Sequence, residues 1–322
     1  MNILVTGGAG FIGSNYVNYV LGKQKNKETN IIVVDKLTYS GSLENLNEVL
    51  NHPNFEFVQG DICDELIIKK LVSKVDRVIN FAAESHVDNS IISSREFIKT
   101  NILGTQVILD AIKEKPEVKF LQVSTDEVYG SINSGSWDES YPLMPNSPYA
   151  ASKAAADLLV RAYHQTFSLD VMISRCCNNY GPKQYPEKII PLFITNLITN
   201  KQIPIYGTGE NIREWIHVTD HCRGLELILD FGKSGEIYNL GSEIELTNKE
   251  VAINLLEFFN FDIGKINYIT DRLGHDKRYS LNFKKAMNQL GFKPEVSFSD
   301  GIKNTIEWYI ANRDWWESKI KA

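Results

Sequence analysis

"NILVTGGAGFIGS", residues 2–14, opens the chain with a short apolar run, a cluster of glycines and the start of an amphipathic stretch. Strand, glycine turn and helix N-terminus in that order bring backbone N–H groups up to a pyrophosphate. Gly8, Gly10 and Gly13 fit the spacing of a dinucleotide-binding fingerprint, and Gly7, Gly10 and Gly13 fit its three-spaced relative. A glycine triplet alone marks no more than a tight turn. Here a second apolar run, "NIIVVD" (30–35), ends in an acid about 20 residues farther on, as the fingerprint requires. Asp35 would accept hydrogen bonds from an adenosine ribose and repel a 2′-phosphate, which favours NAD over NADP. Lys36, beside it, pulls the other way.

Working outward, "FEFVQGD" (55–61), "RVINFAA" (77–83), "KFLQVST" (119–125) and "VMISRCC" (171–177) read as further strands. They are almost continuously apolar, as in a parallel sheet buried on both faces. Amphipathic segments at 97–115 and 149–168 lie between them. The fold class is therefore α/β: a doubly wound, parallel-sheet Rossmann domain over 1–178, with the segment 212–245 returning to it. Over 179–322 the rhythm changes to the Pro-rich "GPKQYPEKIIP" (181–191), helical stretches near 189–200 and 219–231, and a strand-like "IPIYG" (203–207). A last helix, opened by Ser299, carries Trp308, Trp315 and Trp316. This half reads as a smaller mixed α/β lobe covering the functional edge of the sheet.

With 322 residues, 43% of them hydrophobic and 23% charged, the chain can bury a large core without covalent staples. A net charge of -6 without a basic block argues against a nucleic-acid partner. No apolar run reaches the roughly 20 residues that span a bilayer. Met1 and Asn2 run straight into the first strand, leaving no room for a signal peptide, so a cytoplasmic protein is expected. Cys63, Cys176, Cys177 and Cys222 lack metal-ligand spacing, and the adjacent pair is poorly placed for a disulfide. Reduced thiols and no metal site are expected.

Two further stretches carry chemistry. In "NSPYAASKAAADLL" (146–159), Ser147 reads as an N-cap and Pro148 as the first helical residue. Tyr149 and Lys153 then share one face, where the ammonium would favour the phenolate. "VSTDEVYG" (123–130) ends a strand with Thr125 and two adjacent acids, Asp126 and Glu127. Consecutive strand residues face opposite ways, so a joint role for the acids requires a non-strand turn at 126–129.

The glycine loop, the strand-ending hydroxyl and YxxxK together resemble the extended short-chain dehydrogenase/reductases. The likeness covers essentially the whole chain. It sharpens to the dTDP-glucose 4,6-dehydratases through "DKLTYSGSLENL" (35–46), "NFAAESHVDNSI" (80–91), "VSTDEVYG", "NNYGPKQYPEKIIP" (178–191) and "DRLGHDKRY" (271–279). The resemblance implies NAD-dependent oxidation of a hexose at C4, loss of water across C5 and C6, and return of the hydride to C6. In that scheme Tyr149, Lys153 and Thr125 serve the oxidation, Glu127 takes the C5 proton and Asp126 protonates the leaving hydroxyl. The cofactor would meet Gly7, Gly10, Phe11, Ile12, Gly13, Asp35, Lys36, Thr38, Asp61, Ile62, Ala82, Ala83, Ser85 and Thr100, besides Tyr149 and Lys153. The nucleoside-diphosphate sugar would meet Ser85, His86, Thr125, Asn178, Glu187, Lys188, Arg213, Asn239, Arg272, His275 and Tyr279. Helices 97–115 and 149–168 would pair two chains as a homodimer.

The chain departs from the family's common pattern at Lys36, at Asn89, at Cys177 and in "SEIELTN" (242–248). These positions bear on the base and on the C2 substituent of the hexose. A UDP-N-acetylglucosamine 4,6-dehydratase is therefore the nearest alternative. A 4-epimerase or decarboxylase of the same fold would have no use for the acid pair, and a non-catalytic NAD-sensing regulator none for Tyr149 or Lys153 either.

Overall fold

The computed structural model describes residues 1–22 and 29–320. Its main sheet contains β1 (Asn2–Thr6), β2 (Asn30–Asp35), β3 (Phe55–Gln59), β4 (Arg77–Asn80), β5 (Lys119–Thr125), β6 (Val171–Cys176) and β10 (Ile237–Leu240). All neighbours are parallel, in the spatial order β10-β6-β5-β4-β1-β2-β3. The chain steps outward from β1 to β3 and then restarts at β4 on the other side of β1. That reversal opens a crevice at the C-terminal ends of β1 and β4, where open α/β sheets bind ligands.

The continuous apolar pattern has a simple cause. Side chains alternate across a strand, and here both faces are covered. Ile3 and Val5 of β1, with Ile31 and Val33 of β2, enter one core, beneath the helices Phe11–Gly22 and Val218–Phe231. Leu4, Ile32 and Val34 enter the opposite core, beneath Glu65–Val72, Thr105–Lys113 and Pro148–Phe167. Among the described residues no helix is long and apolar enough to cross a membrane.

The smaller lobe has a third core, containing Tyr180, Phe193, Trp215 and Trp316. Around it stand a three-stranded sheet of β7 (Asn178–Tyr180), β9 (Ile212–His217) and β11 (Glu245–Thr247), and the pair β8 (Ile203–Tyr206) and β12 (Ile266–Ile269). The part of 212–245 that rejoins the main sheet is the helix from Val218 together with β10; β9 belongs to the small sheet.

Two helices differ from expectation. The segment 97–115 is not one α-helix: Ile98–Gly104 widens into a π-helix before Thr105–Lys113 continues as α. Asn101 explains the widening, because its amide accepts the Glu84 N–H at 2.9 Å and donates to the Glu84 carbonyl and to Ser152 Oγ. The C-terminal helix Phe298–Ala311 is capped by Ser297, whose Oγ accepts the Asp300 N–H, rather than opened by Ser299.

One buried ion pair ties helix to sheet. Arg175 on β6 donates from Nε to Asp157 on the helix Pro148–Phe167 at 3.0 Å, with both side chains almost fully buried. Removing one partner of such a pair leaves an uncompensated charge, at a cost of about 3–5 kcal/mol. Asp157→Ala should therefore lower the unfolding free energy by about that amount in urea denaturation. A loss below about 1 kcal/mol would show that Arg175 does not depend on this partner.

Candidate active site

The glycine loop is shaped by backbone contact. Gly7 sits at φ +67°, and a Cβ there would come within 2.5 Å of the Ala82 nitrogen; at Gly13 it would come within 2.4 Å of the Gly7 carbonyl oxygen. Only glycine lets β1, β4 and the helix N-terminus approach this closely. Asp35, at the end of β2, accepts the N–H groups of Ala9 at 2.9 Å and Leu37 at 2.8 Å. Burial raises its pKa, against these two bonds. Lys36 is committed to Asp61 at 2.9 Å, so it does not stand free to receive a 2′-phosphate. Asp61 also accepts the Cys63 N–H, and the following helix is capped by Asp64 instead. All the residues expected at the cofactor line one cleft, from the glycine loop through Thr38, Ile62 and Ala82 to Thr100. Glycines that admit a phosphate and an acid fixed at the ribose position fit NAD.

At the other end of the cleft the acid pair leaves the strand as required. β5 stops at Thr125, and Asp126–Tyr129 form a 3₁₀ turn. Thr125 Oγ1 accepts the Glu127 N–H at 3.3 Å and donates to Asp126 Oδ1 at 3.2 Å. Both carboxyls therefore reach the cleft that Tyr149 and Lys153 also line. Ser147 Oγ accepts the Ala150 N–H and Pro148 opens the helix, which sets Tyr149 in its first turn.

The charges do not match the sequence expectation for Tyr149. Lys153 Nζ donates to the Val123 carbonyl at 2.7 Å, and burial lowers its pKa to about 8. Burial first, then the charges of Glu127 and Asp126, hold the Tyr149 phenol above its ordinary pKa; only a hydrogen bond with Thr125 acts the other way. Without bound ligands Tyr149 is a neutral phenol. The ammonium is spent on a strand carbonyl, and two carboxyls crowd the ring.

The two acids are separated in strength. Burial, then the charge of Glu127, raises Asp126 well above the ordinary carboxyl range, and its Oδ2 is buried without a partner. Glu127 is also raised by burial, but Arg272, Arg213 and Lys188 pull it back. The surroundings thus favour the proton on Asp126 more strongly than on Glu127, the kind of separation that an acid–base pair needs.

The second lobe supplies the remaining groups. Lys188 donates to the Ser85 carbonyl at 2.8 Å and, with Glu187 and Asn178, lines the cleft. His86 Nδ1 accepts the Asn89 N–H at 3.3 Å, and its Nε2 lies 3.6 Å from Glu187. Burial, then Lys188, lowers the His86 pKa. Arg272 lies 3.9 Å from Asp88, and His275 bonds Asp271 at 2.6 Å. Arg213 sits over the Tyr279 ring at 4.2 Å and donates to the Asp276 carbonyl; the Tyr279 hydroxyl donates to Asp276. These last four residues flank the acid turn without lining the cleft. Asn239 is not brought to the site. It is fully buried, accepting from Tyr129 and donating to the Trp137 and Asn282 carbonyls, so its amide is consumed internally.

Sequence reasoning missed Tyr39 and Tyr185. Their rings meet edge-on at 5.4 Å, and the charge of Glu187 acts on the Tyr39 phenol, so the pair joins the lobes over the cleft. Tyr39 stands inside "DKLTYSG", but a contact reaching residue 187 has no local signal.

Residues 4–305 match the family described as GDP-mannose 4,6 dehydratase. A dTDP-glucose 4,6-dehydratase of an Actinoplanes species is 54% identical over 319 residues, covering 98% of this chain and 100% of that one. The crystal structure of DesIV, a dTDP-glucose 4,6-dehydratase from Streptomyces venezuelae with NAD and dTDP bound, superposes with a TM-score of 0.97 at 51% identity, covering 99% of this chain and 100% of that one. A dTDP-glucose 4,6-dehydratase from Bacillus anthracis in complex with NAD gives 0.93 at 44% identity, with 99% of each chain covered.

The Lys153 geometry has a pH signature. Its folded pKa, about 8, lies below the unfolded value of 10.5, so the unfolded chain binds more protons between the two. The buried ammonium therefore costs stability below about pH 8, and the cost fades as pH rises through that window. In protein stripped of NAD, Lys153→Met should be stabilising at pH 7, with the advantage over wild type shrinking between pH 8 and 10.5 in denaturant titrations. A pH-independent difference would contradict this.

Proposed function

The chain belongs to the GDP-mannose 4,6-dehydratase family, and we propose that it is an NAD-dependent nucleotide-sugar 4,6-dehydratase acting on dTDP-glucose. The product is the dTDP-4-keto-6-deoxyhexose. The observation that carries this reading is the 3₁₀ turn at Asp126–Tyr129, which brings two carboxyls in different electrostatic surroundings to one cleft with Tyr149. An oxidoreductase or an epimerase needs the phenol but neither acid.

NAD, when bound, supplies the hydride acceptor for C4, the later donor for C6, and a positive charge that works against the burial of the Tyr149 phenol. Tyr149, as the phenolate which that charge would favour, would hold the C4 hydroxyl and take its proton. The C4 ketone acidifies C5, and Glu127 removes that proton. Asp126 gives its proton to the C6 hydroxyl, which leaves as water. Glu127 then returns its proton to C5, and the sum is the loss of one water with no net oxidation. Asp126 has to be recharged, and Thr125, which donates to its Oδ1 at 3.2 Å, lines the cleft with Tyr149. The Thr125 hydroxyl is therefore placed to pass the proton gained at C4 to the acid that spent one. In the second lobe, Lys188, Arg213 and Arg272 bring positive charge towards Glu127, where a diphosphate would also need it. We assign residues 179–217 and 245–320 to the sugar-nucleotide lobe.

The protein is read as cytoplasmic and homodimeric. Leu158 on the Tyr149 helix, with Ile92, Ile98 and Leu103 on the helical segments beside it, exposes apolar surface, which supports pairing of two chains there. Light scattering should give twice the chain mass; a monomer at working concentration would contradict the pairing.

Glu127→Gln separates the chemistry. Turnover of dTDP-glucose to the 6-methyl product should fall by about 10²–10⁴-fold, while reduced-nicotinamide absorbance still appears on adding substrate. An unimpaired methyl signal would remove Glu127 from the mechanism.

A further inference from the structure

Where β6 ends, the cleft floor carries nucleophiles that the dehydration does not use. Cys176 and Cys177 are adjacent, each 3% exposed, and both line the cleft. Cys176 Sγ accepts from Asn179 Nδ2 at 3.2 Å, with the Cys177 thiol on the next residue. His221 lines the same cleft. Its Nδ1 meets Asn179 Oδ1 at 2.9 Å, and its Nε2 is fully buried without a hydrogen-bond partner.

Burial pushes both thiols up, but the adjacent Cys177 thiol, the charge of His221 and the bond from Asn179 bring Cys176 below the ordinary thiol value. Cys177 is raised, by burial and then by Cys176. The thiolate is the nucleophile in such a pair.

A direct disulfide is disfavoured here. Adjacent Cα atoms lie about 3.8 Å apart, whereas disulfides prefer about 4.4–6.8 Å. A single soft atom that takes both sulfurs avoids that constraint. We propose that Cys176 and Cys177 form a two-thiol binding site for monosubstituted trivalent arsenicals, which close the catalytic cleft from its floor. For an arsenoxide, two As–S bonds form and the As–O double bond is lost. The oxygen leaves as water with the two thiol protons, and neither arsenic nor sulfur changes oxidation state. The inference stands apart from the dehydratase reading, because its readout is an adduct rather than turnover.

The probe is phenylarsine oxide, added to the NAD-loaded enzyme and followed by intact-protein mass spectrometry. One adduct per chain, formed with loss of one water, should survive excess 2-mercaptoethanol and be removed by 2,3-dimercaptopropanol. Cys63→Ser should behave as wild type, since Cys63 lies outside the cleft lining. Cys177→Ser should lose the monothiol-resistant adduct. Cys177→Ala, judged folded by circular dichroism, serves as a second variant. An adduct that persists in both Cys177 variants, that a monothiol strips from wild type, or that never forms, would overturn the proposal.

Discussion

Arg175 holds the two halves of the catalytic machinery in one frame. From its place in β6, Nε donates to Asp157 on the helix that carries Tyr149 and Lys153, and Nη1 donates to the Tyr129 hydroxyl at 2.9 Å. Tyr129 closes the acid turn and donates from its own hydroxyl to Asn239 Oδ1 at 2.9 Å. The guanidinium also lies 4.8 Å from the centre of the Tyr129 ring, whose other neighbour is the stacked indole of Trp137. A buried cation is tolerated only where its partners are fixed. Here those partners are the two elements whose relative position decides whether phenol and carboxyls can reach one sugar.

Burial then sets the chemistry. It raises Asp126, Glu127 and Tyr149 and lowers Lys153, so uncharged forms are favoured around the acid turn. Arg272, Arg213 and Lys188 all pull Glu127 back, and that asymmetry sets two adjacent acids apart. The cations come from the second lobe, so the pair is differentiated by how the lobes meet. Lys188 bonded to the Ser85 carbonyl and the Tyr39 ring set edge-on against Tyr185 are the visible fastenings across that junction.

The features legible in the sequence are those written in local chemistry. The glycine loop, Asp35 closing β2, the Ser147–Pro148 helix start and the turn at 126–129 each follow from a few neighbouring residues, and the structure holds each where expected. The parallel sheet follows from strands with apolar residues on both faces. Other features depend on partners far along the chain. The π-helix at 98–104 exists because Asn101 is tied to Glu84 and Ser152, and periodicity alone reads through it. Asn239 drew a ligand role by resemblance, yet Trp137 and Asn282 occupy it. The phenolate expectation failed because four-residue spacing places Lys153 beside Tyr149 without showing that a strand carbonyl claims the ammonium.

The central claim is that one cleft oxidises C4, eliminates water and restores the hydride at C6 without net redox change. Proton NMR of the product from dTDP-glucose deuterated at C4 tests it most directly. The account predicts a 4-keto sugar whose C6 methyl carries the deuterium, formed without accumulation of reduced nicotinamide. A methyl group free of deuterium, or a C4 epimer with no methyl signal, would contradict it.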